Sequence, residues 1–238
     1  MWTNLGDWHE TTDYVQAAAS LARRVGVAAA LGAESVVVDY ACGYGDSLRL
    51  WVEHFGVRRA IGVEPDPAVC ATVKARIARW GLSDRIRVVQ GLAEDTAPRR
   101  VDADVNAVVC VDAAYLFRSR LRWWQVLVRN LPAGARIACS DVLLADGQRV
   151  NLTLLGLAAA MRIPGENLVD ATWLCATLSA LGVKGITQES LGHAVLDGFV
   201  ARAPMRGLAL RVTRSGIRTL RQRALVDYAL IAGTVGAA

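Results

Sequence analysis

A carboxylate at the end of a valine run, followed closely by two glycines one residue apart, is the most chemically specific stretch of this 238-residue chain: Val36-Val-Val-Asp39-Tyr-Ala41-Cys42-Gly43-Tyr-Gly45-Asp46. The valines read as a strand, the glycines as a tight turn and Asp46 as the opening of a helix. Glycine lets the backbone approach a ligand closely and take up positive φ without steric cost. A helix start offers free N–H groups to an anionic group. About nineteen residues past Gly45, at the end of the next strand-like run Arg59-Ala-Ile-Gly-Val63, stands Glu64. A carboxylate there can accept hydrogen bonds from both hydroxyls of a ribose. The pair of features implies a ribose-bearing ligand in the crevice beyond the carboxyl ends of parallel strands.

Two cofactor classes carry such a ribose, a dinucleotide and S-adenosylmethionine. The dinucleotide fingerprint asks for G-x-G-x-x-G, and Leu48 stands where its third glycine belongs. Asp39 would also sit badly beside a pyrophosphate, whereas it suits a ligand carrying an ammonium and a sulfonium.

The elements that must hold these residues follow from patterning. A helix is expected over 12–31, capped by Thr11 or Thr12, and strands over 35–39, 59–63, 85–90, 104–111 and 135–140. Helical stretches lie between them at 46–55, 66–80 (opened by Pro67) and 121–131. Strands alternating with helices and lacking hairpin signals predict an α/β protein. Its form is a Rossmann-like, doubly wound, mostly parallel seven-stranded sheet with helices on both faces. After the fifth strand the rhythm breaks at an apolar insert, 150–168, before a helix over 171–181. Two last strands are expected over 184–191 and 194–201, around Gly192-His193, and a basic helix over 207–233. The whole reads as one domain, 1–238, with residues 1–31 as an N-terminal lid and helix.

Composition narrows the class. At 53% hydrophobic and 21% charged, the chain is too apolar for global disorder. Its longest strictly apolar runs fall well short of the ~18–20 residues needed to span a bilayer. Asp7, Glu10 and Asp13 stand where a signal peptide would be basic. The five cysteines, Cys42, Cys70, Cys110, Cys139 and Cys175, are widely spaced in apolar contexts without a CxxC pair, and read as free thiols rather than disulfides or metal ligands. A cytoplasmic location is therefore expected. The net charge of +5 is local: residues 201–238 hold seven arginines against Asp227, leaving the rest of the chain near −1. Arg211, Arg214, Arg218 and Arg221 share one face of a helix, a pattern suited to an anionic membrane or an acidic partner. Without interleaved aromatics or a wider basic surface, nucleic acid binding is not expected.

The motif Asp39-Tyr-Ala-Cys-Gly-Tyr-Gly45 resembles the first motif, D/E-x-G-x-G-x-G, of the class I S-adenosylmethionine-dependent methyltransferases, in particular those acting on small molecules. Further segments agree in order: Ile61-Gly-Val-Glu64-Pro65 with the ribose strand, Val88 to Asp95 with the adenine side, Val108 to Phe117 with the fourth-strand motif, Leu131-Pro-Ala-Gly134 with the stretch before the fifth strand, and Asn4 to Trp8 with an N-terminal lid. The resemblance covers about residues 4–201. It implies S-adenosylmethionine as cofactor, contacted by Tyr14, Asp39, Ala41, Cys42, Gly43, Gly45, Glu64, Pro65, Ala93, Glu94 and Val111. It implies in-line methyl transfer to a small acceptor, with the apolar insert forming the acceptor pocket. Catalysis of this kind needs alignment of donor and acceptor, and a base only when the acceptor must lose a proton. The candidates for that base are Asp112, Tyr115, Asp141 and His193, with His9 in the lid. The chain departs from the family pattern at Ala41 (glycine in relatives), Leu92 (often an acid), Leu116 (often histidine) and Ala133 (glycine). A cofactor-binding but inactive partner subunit, and an NAD-dependent oxidoreductase, stay open as alternatives.

Overall fold

In the computed structural model, which describes residues 1–204 and 208–237, the valine run forms β1 (Val36–Tyr40), buried along its whole length. Its side chains alternate between two cores. Val37 packs with Leu21, Trp51 and Val73 on one face, and Val36, Val38 and Tyr40 pack with Trp123 and Leu127 on the other. A strand buried on both faces needs helices on both faces, and the chain supplies them. α1 (Tyr14–Ala28), α2 (Asp46–Glu53) and α3 (Pro67–Trp80) cover the first. The short α4 (Pro98–Val101), α5 (Arg120–Asn130) and α7 (Ala171–Ala180) cover the second.

The remaining strands are β2 (Arg59–Glu64), β3 (Ile86–Gln90), β4 (Ala107–Val111), β5 (Arg136–Leu144), β6 (Val183–Ser190) and β7 (Val226–Val235). Among the described residues they form a seven-stranded sheet of order β3-β2-β1-β4-β5-β7-β6. β3 through β5 run parallel, and β7 is inserted antiparallel between β5 and β6. The strand order reverses between β1 and β4. A crevice opens there beyond the carboxyl ends, where open α/β sheets bind ligands.

The insert folds as α6 (Leu152–Ala160), followed by a single 3-10 turn at Gly165–Asn167. α1 is capped by Asp13, whose carboxylate accepts from Gln16 N, instead of by Thr11 or Thr12.

The C-terminal third differs from expectation in two ways. Residues 194–201 are helical, not a strand: a π-helical turn (His193–Asp197) runs into α8 (Gly198–Arg202). Val195, Leu196 and Phe199 are buried together, a helical spacing that the strand-favouring Val195, Phe199 and Val200 obscure. The basic helix is also shorter than 207–233. α9 spans Leu208–Gln222 and stops at Ala224, which has φ +48°; position 207 lies outside the described residues. Beyond it the chain turns back as β7, the strand that completes the sheet. β7 is buried on both sides, so it lacks the polar alternation that marks a strand at the sequence level.

Candidate functional site

The turn after β1 lies at the switch point. Ala41, Gly43 and Gly45 all have positive φ, +57°, +52° and +80°. Ala41 thus takes a left-handed conformation that costs an L-residue roughly 1–2 kcal/mol and a glycine nothing. The turn is tied to β2 by Ala41 N donating to Val63 O (2.8 Å) and by Gly43 N donating to Glu64 Oε2 (3.2 Å). It also packs tightly on β2: a Cβ built on Gly62 would lie 2.4 Å from Cys42 Sγ.

Clefts open on both sides of Ala41. One is lined by Trp2, Asn4, Asp39, Cys42, Asp46 and Val111. The other, about 220 Å³, is lined by Glu64, Pro65, Ala93, Glu94, Phe117 and Arg118. The first is acidic. Asp39 is fully buried and accepts from Trp51 Nε1 at 2.8 Å, and burial pushes its pKa up to about 6 against hydrogen bonds from Ser47 and Trp51 that pull it down. Asp46 is held by Arg76 through two hydrogen bonds of 2.7 and 2.8 Å, which keep its pKa low despite burial. In the second cleft, Glu64 also accepts from Asp66 N (3.1 Å), and burial raises its pKa. Glu94 accepts from Ser119 N at 3.0 Å, while exposed Leu92 offers no polar group at the rim.

Asp112 ends β4 with φ +58°. One carboxylate oxygen accepts from Leu5 N at 2.6 Å, pinning the N-terminal segment over the site. The other is buried without a hydrogen-bond partner among the described residues. Burial, with Asp141 as a neighbouring charge, pushes its pKa up to about 7. Beside it, Tyr228 is completely buried and hydrogen-bonds Ser140 Oγ (3.1 Å). Asp141 is raised to about 6 by burial, against Arg120, whose Nε lies 3.0 Å away. Its Oδ1 also accepts from the Tyr115 and Val142 amides.

Beneath Leu5 lies an apolar cavity of about 60 Å³. Its walls include Tyr115 and Asn167, the inner face of α6 (Leu154, Leu157, Ala158), Met161, Leu196 and the α9 residues Ile217 and Leu220. Leu5, held by Asp112, lines this cavity, and its neighbour Asn4 lines the first cleft.

The structure brings most of the expected site residues together at this crevice. Tyr14 lies on α1, where its hydroxyl donates to the carbonyls of Trp2 (3.1 Å) and Asn4 (2.9 Å); it braces the N-terminal segment and its pKa is raised to about 12 by burial. His193 does not join the site. Its side chain is 95% exposed and sits 3.5 Å from Asp197, on the π-helical turn that replaced the expected strand. His9 is likewise exposed. Trp51, Arg120, Asn167 and Tyr228 were not expected. Trp51 had a legible signal: a tryptophan on the core face of α2 needs a partner for its N–H, and a buried Asp39 needs donors. Tyr228 had none, because its strand reads as helix.

The residues fit S-adenosylmethionine. Glu64 would take the ribose hydroxyls, Asp39 and Asp46 the cationic amino-acid end, and the cleft at Ala93 to Phe117 the adenine. Residues 37–134 match the family model described as a methyltransferase domain. A curated relative, the ribosomal protein L11 methyltransferase of Pectobacterium carotovorum subsp. carotovorum (strain PC1), is 32% identical over 114 residues. That alignment covers 47% of this chain and only 35% of the relative, so the chain spans about a third of its length. Among solved structures, one described as a sarcosine dimethylglycine methyltransferase from Galdieria sulphuraria superposes with a TM-score of 0.80 at 14% identity, covering 98% of this chain and 93% of that one. The geranyl diphosphate C-methyltransferase of Streptomyces coelicolor A3(2), solved with Mg2+, geranyl diphosphate and S-adenosyl-L-homocysteine, gives 0.77 at 16%, covering 92% and 81%. Residues 37–134 thus match a methyltransferase domain, and the sheet has the fold of these solved methyltransferases.

Proposed function

We propose that this chain transfers a methyl group from S-adenosylmethionine to a small, largely apolar acceptor. The observation that carries this reading is the apolar cavity walled by Leu154, Leu157, Met161 and Ile217 and by Leu5, which Asp112 holds and whose neighbour Asn4 lines the first cleft. The cofactor, when bound, supplies an electrophilic methyl on a good leaving group. The protein's part is then to align the acceptor and exclude water. Leu5, pinned by Asp112, closes the site from the N-terminal side. The buried Asp141–Arg120 pair fixes the Tyr115 backbone, so the Tyr115 ring has a set position in the cavity wall. Asp112, with a pKa near 7, can accept a proton at neutral pH from an acceptor that must lose one. A solved structure of this fold holds geranyl diphosphate, whose geranyl chain is apolar though its diphosphate is charged, which supports the reading by analogy.

The cavity's 60 Å³ is less than half of the roughly 150 Å³ that admits benzene in an engineered core. Accordingly α6 and α9 must part for an acceptor to enter.

Ala41 in a glycine's conformation favours a second reading, a protein that binds the cofactor without transferring its methyl. One experiment separates the two: titrate S-adenosylhomocysteine by calorimetry, then incubate with methyl-labelled donor and a panel of apolar acceptors. Methylated product supports transfer. Binding with no product from any acceptor supports the second reading, and absence of binding refutes both.

A further inference from the structure

α6 contains no charged residue, and its sequence is LTLLGLAAA. A helix apolar on all sides belongs inside a core or against a membrane. Here one side, Leu154, Leu157 and Ala158, walls the cavity, while the other is open to solvent, with Leu152 87% and Leu155 41% exposed. α9 lies alongside, where Met161 packs near Gly216. Its outer face exposes Val212 at 61% together with Arg211 and Arg218. Of the α9 arginines, Arg221 is committed to Asp197. Arg211 and Arg218 have no carboxylate partner among the described residues, and exposed Arg149 and Arg162 flank α6. The chain outside 201–238 sums to about −1, so the net basic charge belongs to the C-terminal segment that holds α9.

We propose that the outer face of α6 and α9 docks on an anionic lipid bilayer, the leucines entering the acyl boundary and the arginines meeting the headgroups. A bilayer suits this face better than an acidic protein. Its apolar part lies on a helix with no charged residue to specify a protein contact, and the same helix walls the apolar cavity. Docking there would let a membrane-dissolved acceptor pass between α6 and α9 without crossing water. That delivery role rests on the acceptor reading above, whereas docking itself does not.

The test is co-sedimentation of the full chain with phosphatidylcholine vesicles, with and without about one third phosphatidylglycerol, at low and high salt. Binding is expected to anionic vesicles and to weaken with salt. At about fivefold per arginine at the surface, Arg211→Gln with Arg218→Gln should weaken partitioning about 25-fold. Leu152→Ser with Leu155→Ser should weaken binding that survives in high salt. S-adenosylhomocysteine affinity should stay at wild-type level in both variants, which shows that they are folded. The proposal is overturned if the wild type stays in the supernatant, if the arginine variant sediments like wild type, or if the protein binds an acidic polypeptide such as polyglutamate but not vesicles. Failure of the methyltransferase reading would appear separately, as loss of S-adenosylhomocysteine binding or of product while vesicle binding persists.

Discussion

Ala41 offers the sharpest test of the site, because its backbone and its side chain make separate predictions. At φ +57° it occupies the left-handed region, which costs an L-residue roughly 1–2 kcal/mol. Replacing it with glycine removes that strain and leaves the Ala41 N to Val63 O hydrogen bond of 2.8 Å in place. Glycine takes back about 0.5–1 kcal/mol through the larger entropy of the unfolded chain. The net gain expected for Ala41→Gly is about 0.5–1 kcal/mol, a rise in Tm of about 1–4 °C for a chain of this size. The Ala41 side chain lines both cofactor clefts, so enlarging it should act on the ligand. Ala41→Val adds two methyl groups at that junction and a β-branch in an unfavourable conformation. It should lower Tm, and overpacking worth about 1–3 kcal/mol should weaken S-adenosylhomocysteine binding about 5- to 150-fold. Scanning calorimetry gives the first quantity and titration calorimetry the second. A glycine variant that melts below wild type would refute the strained turn. A valine variant that binds S-adenosylhomocysteine like wild type would show that the cofactor does not pass Ala41.

Asp39, Asp112 and Asp141 are raised to about 6, 7 and 6, above their unfolded value of about 3.9. The folded state then holds more protons than the unfolded state between about pH 4 and 7. The stability these groups contribute is fully present below pH 4 and falls as pH rises through 6 and 7, at up to about 1.4 kcal/mol per unit for each group. Urea midpoints measured from pH 5 to 8 should decline, and Asp112→Asn should flatten the decline; a rising curve contradicts the assignment. A cationic ligand beside Asp39 pulls its proton off, so S-adenosylmethionine affinity should increase up to about tenfold between pH 5 and 7 and level off above that, with proton release seen in calorimetry across buffers. Trp51→Phe removes the 2.8 Å donor to Asp39 and should cost about 1.5–3 kcal/mol while moving that pH midpoint upward. Ala158→Phe fills the apolar cavity, and should raise the acceptor KM at least about tenfold while S-adenosylhomocysteine affinity holds.

The first two-thirds of the architecture could be read along the chain because its signals are local. A valine run, a glycine turn and Pro67 at a helix start announce themselves within a few residues, and repeated β-α units admit few topologies. The cofactor side was legible for the same reason, since Asp39, the turn and Glu64 are consecutive features of one β-α-β unit. The C-terminal third was not. The doubly buried β7 lacks alternation, and within 193–202 Val195, Phe199 and Val200 favour a strand, so local patterning pointed the wrong way for both. Tyr228 was hidden with β7, and His193 was placed at a site it does not reach.

The sequence by itself determined the sheet's parallel half, the turn and the acid that mark a ribose-binding crevice, and the localisation of basic charge to the tail. Only the tertiary structure decided that Trp51 answers Asp39, that Asp112 pins Leu5 across 107 residues of sequence, and that α6 and α9 share one cavity. These are contacts between groups far apart in the chain. Burial sets both their geometry and their pKa values, and burial of this kind belongs to the folded molecule rather than to any segment of it.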